Sequence, residues 1–156
     1  NLPDDLLQYS ATMGLPKLIQ TIQSQFNLKE ELLISNGSQQ ALDLISSVFL
    51  DSKDKILIEE PSYLGATGLF KSYGVTCDTV SLKKDGINLK ELEKKLQKNY
   101  YKFLYVIPNF QNPSSISYSN KKRKNLAKLA IKYDLIIIED DPYGLLTFKG
   151  KTKKNI

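Results

Sequence analysis

The sequence predicts an α/β fold, a three-layer α/β/α arrangement around a mainly parallel sheet, and three observations carry that expectation. Five short apolar runs rich in β-branched or aromatic residues recur along the chain. Segments with helical spacing separate them, and strands alternating with helices build parallel sheets covered on both faces. No repeat, linker or low-complexity stretch interrupts the pattern, so one domain spanning residues 1–156 is expected.

In chain order, the first run is LLIS at 32–35, followed by a helical segment at 38–50 with Leu42, Ile45, Val48 and Phe49 on one face. KILIE at 55–59 is the second run, and LGATGLFKSYG at 64–74 is a helix that ends on a glycine stop. After VTCDTVS at 75–81, the segment at 88–98 sets Leu89, Leu92 and Leu96 on one helical face behind an Asn88 cap. YKFLYVI at 101–107 leads into a loop with two prolines. KKRK at 121–124 then opens a helix whose apolar positions are Leu126, Leu129, Ala130 and Tyr133. The last run, LIIIED at 135–140, is apolar enough to suit a strand buried on both faces.

Composition narrows the function classes. Apolar residues at 41% and charged residues at 25% describe an ordinary globular protein. A lone cysteine, Cys77, forms no internal disulfide, and no apolar run reaches the ~20 residues that cross a bilayer, which points to a cytoplasmic protein without a membrane partner. The chain starts at Asn1 rather than Met, and both ends read as cuts from a longer protein. The net charge of +5 owes much to residues 149–156, which hold four lysines and no acid. The basic run at 121–124 falls mostly on the wet face of its helix, so a solvated face outweighs nucleic-acid binding. With no histidine in the chain, the Glu59–Glu60 pair is a poor metal site and no metal is expected.

In a parallel sheet the ligand site lies at the carboxyl ends of the strands, so the loops there carry the chemistry. After the first run, Asn36 and Gly37 turn the chain and Ser38 and Gln39 open a helix. Free N–H groups and two side-chain donors make a phosphate cradle, although an ordinary capped helix start uses the same residues. Pro61 breaks the second run and delivers Tyr63, either to cover a flat ligand ring or to pack and cap locally. Pro108 ends the fourth run and Pro113 holds Asn112 extended, which aims a neutral amide at the crevice; a simple Asn-Pro turn is the other reading. Asp140 at the end of the last run requires a cationic partner or solvent, and Tyr143, just after Pro142, is placed to serve the same ligand.

Taken together, GSQQALDL, EEPSYLGA, NFQNP and EDDPYG, in this order, resemble the large domain of fold-type I pyridoxal-phosphate aminotransferases of class I/II, in particular the 2-aminoadipate and aromatic aminotransferase subgroup. The resemblance implies that Ser38 and Gln39 bind the phosphate of pyridoxal 5'-phosphate and that Tyr63 stacks on its ring. It further implies that Asn112 and Tyr143 bond the ring's phenolic oxygen and that Asp140 pairs with the pyridinium nitrogen. Tyr9 matches the tyrosine that reaches the neighbouring subunit's phosphate, which implies a homodimer. The substrates implied are an amino acid and a 2-oxo acid. The family's Schiff-base lysine and carboxylate-binding arginine match nothing in this stretch, and Lys149, Lys151, Lys153 and Lys154 stand in no matching motif. The chain is therefore expected to be a truncated cofactor-binding domain, inactive as it stands, without the small C-terminal domain. GntR/MocR-type transcriptional regulators carry a similar domain, so a ligand-sensing role is the alternative.

Overall fold

The computed structural model describes residues 8, 9, 11–146 and 156, which divide into compact units at residues 1–41 and 42–156. The first unit holds α1 (Pro16–Phe26), which starts on a proline at its first turn and stops where Asn27 turns left-handed at φ 51°. LLIS is not a strand. Among the described residues its backbone makes a single link, Ile34 N–H to the Met13 carbonyl at 2.8 Å, so an apolar run of the right composition lacks there the ladder a strand needs.

α2 (Ser38–Phe49) begins in the first unit and ends in the second. The second unit then runs β1 (Lys55–Glu60), α3 (Leu64–Ser72), β2 (Thr76–Lys83), β3 (Gly86–Ile87), α4 (Leu89–Leu96), β4 (Phe103–Val106), α5 (Asn120–Tyr133) and β5 (Ile136–Glu139). The sheet order is β3-β2-β1-β4-β5, with every pairing parallel except that of β2 with β3.

Strand alternation divides the core into two layers, as period-2 geometry requires. Ile56, Ile58, Phe103 and Tyr105 face Leu42, Ala66 and Phe70 on one side of the sheet. Leu57, Leu104 and Val106 face Leu92, Leu126 and Ala130 on the other. Helices therefore cover both faces, which is the three-layer arrangement expected.

Three details differ from expectation. Asn88 stands at the N-cap of α4 but makes no capping bond there; its amide donates instead to Ser81 and Glu91, both at 3.2 Å. β5 is paired on one side only among the described residues, with Ile136 exposed, so the most apolar run forms an edge rather than a buried centre. Within the basic run of α5, Lys121 and Lys124 are exposed, but Arg123 is buried. Ser119 caps that helix, accepting the Lys122 N–H at 3.1 Å. Ser119→Ala is expected to lower stability by about 1 kcal/mol, read as a shift in the urea midpoint at unchanged slope.

Candidate active site

β1, β4 and β5 lie side by side and parallel, so their carboxyl ends open onto one edge of the sheet. Asp140 is the first residue beyond β5, held by its N–H on the Val106 carbonyl at 2.9 Å. Tyr105 pairs with Ile138, two residues before Asp140 and on the same face of the strand. Its hydroxyl donates to Asp140 Oδ2 at 2.7 Å. The Tyr105 ring is fully buried and meets Phe70 edge-on, with centroids 5.4 Å apart, so the direction of that hydroxyl is fixed by packing. Burial first, and then the Asp140 carboxylate, push the phenol far above its ordinary range, so it stays a donor at any working pH.

Residues 107–119 form the loop between β4 and α5, and buried charged groups hold it at both ends. On the β1 side, the fully buried Glu59 carboxylate accepts from the Tyr118 hydroxyl at 2.5 Å, the Gln111 amide at 3.1 Å and the Ile107 N–H at 3.2 Å. Burial raises the Glu59 carboxyl to about 7, with the three hydrogen bonds opposing. From α5, the Arg123 guanidinium donates to the Pro108 carbonyl and to Asn109 Oδ1, both at 2.8 Å, and lies 3.6 Å from Glu139. Asn109 in turn donates to Asp141 at 2.9 Å, which ties the loop to the residues after β5.

Asn112 sits at the turn of this loop, half-buried, before a cis bond to Pro113. Its neighbour Gln111 also donates to the Pro61 carbonyl at 2.7 Å, and so links the Asn112 loop to the loop that follows β1. That second loop carries Tyr63, the residue before α3, whose ring lies against Gly65 closely enough that a Cβ there would collide with it. Tyr63 makes no side-chain cap bond, so local capping does not account for its hydroxyl. Ser62 beside it has a buried hydroxyl with no hydrogen-bond partner among the described residues. Beyond β5, Tyr143 is exposed, and the Asp141 carboxylate fills the place a Cβ on Gly144 would need.

The structure thus gathers Tyr63, Asn112, Asp140 and Tyr143 at the ends of three neighbouring strands. Ser38 and Gln39 lie in the first unit, as the first residues of α2, ahead of its first internal bond from Ala41 to the Gly37 carbonyl. Gly37 has φ +113°, a conformation side chains rarely adopt, which accounts for the Asn-Gly turn before the helix. Tyr9, also in the first unit, is fully exposed. The supporting residues Glu59, Tyr105, Gln111, Tyr118 and Arg123 were not legible as such. Glu59 stood out only as half of an acidic pair, yet Glu60 is exposed and takes the Thr79 hydroxyl instead.

Comparison with known proteins identifies the family. The family model for aminotransferase class I and II matches residues 2–155. An aromatic-amino-acid aminotransferase of Thermococcus litoralis is 39% identical, covering 96% of this chain and 39% of its own length. A 2-aminoadipate transaminase of Thermus thermophilus is 41% identical over 91% of this chain and 36% of its own. The crystal structure of an alpha-aminoadipate aminotransferase from Thermus thermophilus, complexed with N-(5'-phosphopyridoxyl)-L-leucine, superposes with a TM-score of 0.90 at 39% identity, over 94% of this chain and 38% of that one. The chain thus spans about two fifths of the length of these relatives, and across that span it belongs to the aminotransferase class I and II family.

Proposed function

We propose that the chain supplies the pyridoxal-phosphate-binding part of an aminotransferase that moves an amino group between an amino acid and a 2-oxo acid, working as a cytoplasmic homodimer. The observation that carries this reading is the edge formed by β1, β4 and β5. Among the described residues, the Asn112 amide, the Tyr63 and Tyr143 hydroxyls and Asp140 Oδ1 have no hydrogen-bond partner, while Asp140 Oδ2 is held by Tyr105. That donor set fits the cofactor: a carboxylate for a cationic ring nitrogen, an amide and a phenol for a phenolic oxygen, and an aromatic face for a flat ring. Ser38 and Gln39, at a helix start, suit a phosphate. Tyr9 is assigned to the partner subunit's phosphate.

Bound there, pyridoxal phosphate supplies an electron sink for the bond that breaks at the substrate α-carbon. The chain's own contribution is to hold and polarise it. Asp140, oriented by Tyr105, keeps a proton on the ring nitrogen; Asn112 and Tyr143 fix the ring's edge; Tyr63 covers its face and excludes water. The proton-moving lysine and the small domain are assigned to parts of the protein outside these 156 residues. Relatives named for aromatic amino acids, 2-aminoadipate and kynurenine set the substrates to assay first.

A spectrophotometric titration with pyridoxal phosphate, followed by borohydride reduction, tests this reading. The expected result is saturable binding, weakened roughly tenfold or more by Asp140→Ala and by Ser38→Ala, with no trapped adduct. Absence of binding at millimolar cofactor would overturn the cofactor assignment. A stoichiometric adduct at one lysine, with amino-group transfer, would overturn the inactivity of the chain. The second reading, a ligand-sensing domain of a transcriptional regulator, draws on one observation. An uncharacterized HTH-type transcriptional regulator of Bacillus subtilis is 32% identical over 90% of this chain. A DNA-binding segment upstream in the same gene would favour it.

A further inference from the structure

We propose that Glu59 is a positioning residue, which sets the Tyr63 and Asn112 loops at a fixed separation without itself touching the ligand; the ligand part of this rests on the cofactor reading above. Three features of the geometry point to it. First, Glu59 occupies the face of β1 that Leu57 also presents, beneath the loops, and is fully buried, so its carboxylate is spent on internal partners. Second, its three hydrogen-bond donors all belong to residues 107–118: Ile107 where β4 ends, Gln111 beside Asn112, and Tyr118 where the loop rejoins α5. One side chain therefore holds the start, middle and end of the Asn112 loop. Third, the Gln111 Nε2 that reaches Glu59 also donates to the Pro61 carbonyl at 2.7 Å, two residues before Tyr63.

Gln111 is itself held on every side. Its Oε1 accepts the Ser114 N–H at 2.8 Å, its N–H meets the Ile116 carbonyl at 2.9 Å, and its carbonyl takes the Ser115 N–H at 2.5 Å. The loop is thus a closed turn pinned through one amide to Glu59 on one side and to the β1–α3 loop on the other. Without the Glu59 carboxylate, the Gln111 side-chain N–H group keeps only the Pro61 carbonyl, the Tyr118 hydroxyl and the Ile107 N–H lose this shared acceptor, and the face-covering Tyr63 and edge-bonding Asn112 are held less firmly relative to each other. A shift of under 1 Å in either is enough to weaken cofactor contacts, because hydrogen bonds fail steeply with distance and angle.

The test is a double-mutant cycle on pyridoxal phosphate affinity, with Glu59→Gln, Glu59→Leu and Asn112→Ala, read by absorbance. Glu59→Gln keeps an acceptor for Gln111 and Ile107 and an amide that can donate to the Tyr118 oxygen, so its affinity is expected within threefold of the parent. Glu59→Leu is expected to weaken binding roughly tenfold or more, and that loss is expected to shrink below threefold in the Asn112→Ala background. A loss of equal size in both backgrounds would mean that Glu59 does not act through Asn112 and would overturn the proposal. Should Glu59→Leu not fold, Gln111→Leu removes the same link between the loops and is subject to the same cycle. Amide hydrogen exchange without cofactor provides a second readout, independent of the ligand: Gln111, Ser114 and Ser115 are expected to exchange at least tenfold faster in Glu59→Leu and unchanged in Glu59→Gln. Unchanged exchange in Glu59→Leu would overturn the proposal even if the cofactor reading holds. Faster exchange in a chain that binds no pyridoxal phosphate would keep the loop clamp and remove only its ligand.

Discussion

Replacing Arg123 with methionine is expected to lower the stability of the chain by about 3–5 kcal/mol, a loss large enough to unfold many domains of this size. Methionine keeps most of the side-chain volume, so the loss would come from polar groups left behind rather than from a cavity. Arg123 is buried although it stands in a run of four basic residues. Its guanidinium serves the carbonyls of Pro108 and Tyr118, the Asn109 side chain and the Glu139 carboxylate. Glu139 already carries a carboxyl raised by burial, with Arg123 and the Ile156 N–H holding it down. Removing the cation deprives that carboxylate of its charge partner and takes a donor from the buried Asn109 Oδ1 and from the Pro108 and Tyr118 carbonyls, which costs free energy that water cannot restore at a buried site. Urea unfolding of the parent and Arg123→Met at neutral pH measures the difference. A loss below about 1 kcal/mol, the range of an exposed ion pair, would show that the guanidinium is hydrated and the network is not structural.

Glu59 gives the second large effect, and it depends on pH. Burial lifts its carboxyl from 4.5 to about 7 in the folded chain. Between those values the folded state holds a proton that the unfolded state releases, so stability falls as pH rises through this window. The contribution is fully present below pH 4.5 and lost above about 7, and over the window it amounts to about 3 kcal/mol. The groups that face the carboxylate are the Tyr118 phenol, the Gln111 amide and the Ile107 N–H. The Tyr118 phenol is pushed well above its ordinary range by burial and then by Glu59, so it does not titrate in the window. Glu59→Gln does not ionise. Its stability relative to the parent is therefore expected to rise by about 3 kcal/mol between pH 4.5 and pH 8, measured by urea midpoints across that range. A difference that stays flat with pH would contradict a buried, proton-binding Glu59.

The parts of the molecule that follow from local pattern were legible in the sequence. Four of the five apolar runs are strands, because each carries enough β-branched or aromatic residues to fill a buried ladder and is bounded by a proline, a glycine or a helix cap. LLIS has the same composition, but a strand also needs a partner, and pairing between distant segments is not written in four residues. β3 was missed although Asp85-Gly86, next to the alternating residues of β2, is a hairpin signal; its two residues are too few for periodicity to register. α1 was not among the expected elements, although Pro16 at its start and Leu18, Ile22 and Phe26 on one face mark it.

The loop residues that meet at the strand ends were legible for the same local reason: prolines and strand ends place Tyr63, Asn112, Asp140 and Tyr143. What supports them was hidden. Tyr105 reads as one more aromatic in an apolar run, Arg123 as a solvated cation and Glu59 as half of an acidic pair. Each takes its role from a residue 35, 15 or 59 positions away along the chain. Buried polar partners of this kind are a property of tertiary packing, where a donor and an acceptor from distant segments satisfy each other, and helical or strand periodicity carries no trace of them.

Titrating pyridoxal phosphate into isotope-labelled chain and following backbone amide resonances decides whether the ends of β1, β4 and β5 receive a pyridine ring. Saturable shifts are expected, concentrated at Ser38 and Gln39, at residues 62–64, at residues 110–112 and at residues 140–143, with the α4 and α5 amides unmoved. Shifts centred on the lysine-bearing faces of α4 or α5, or no shift at millimolar cofactor, would contradict that placement.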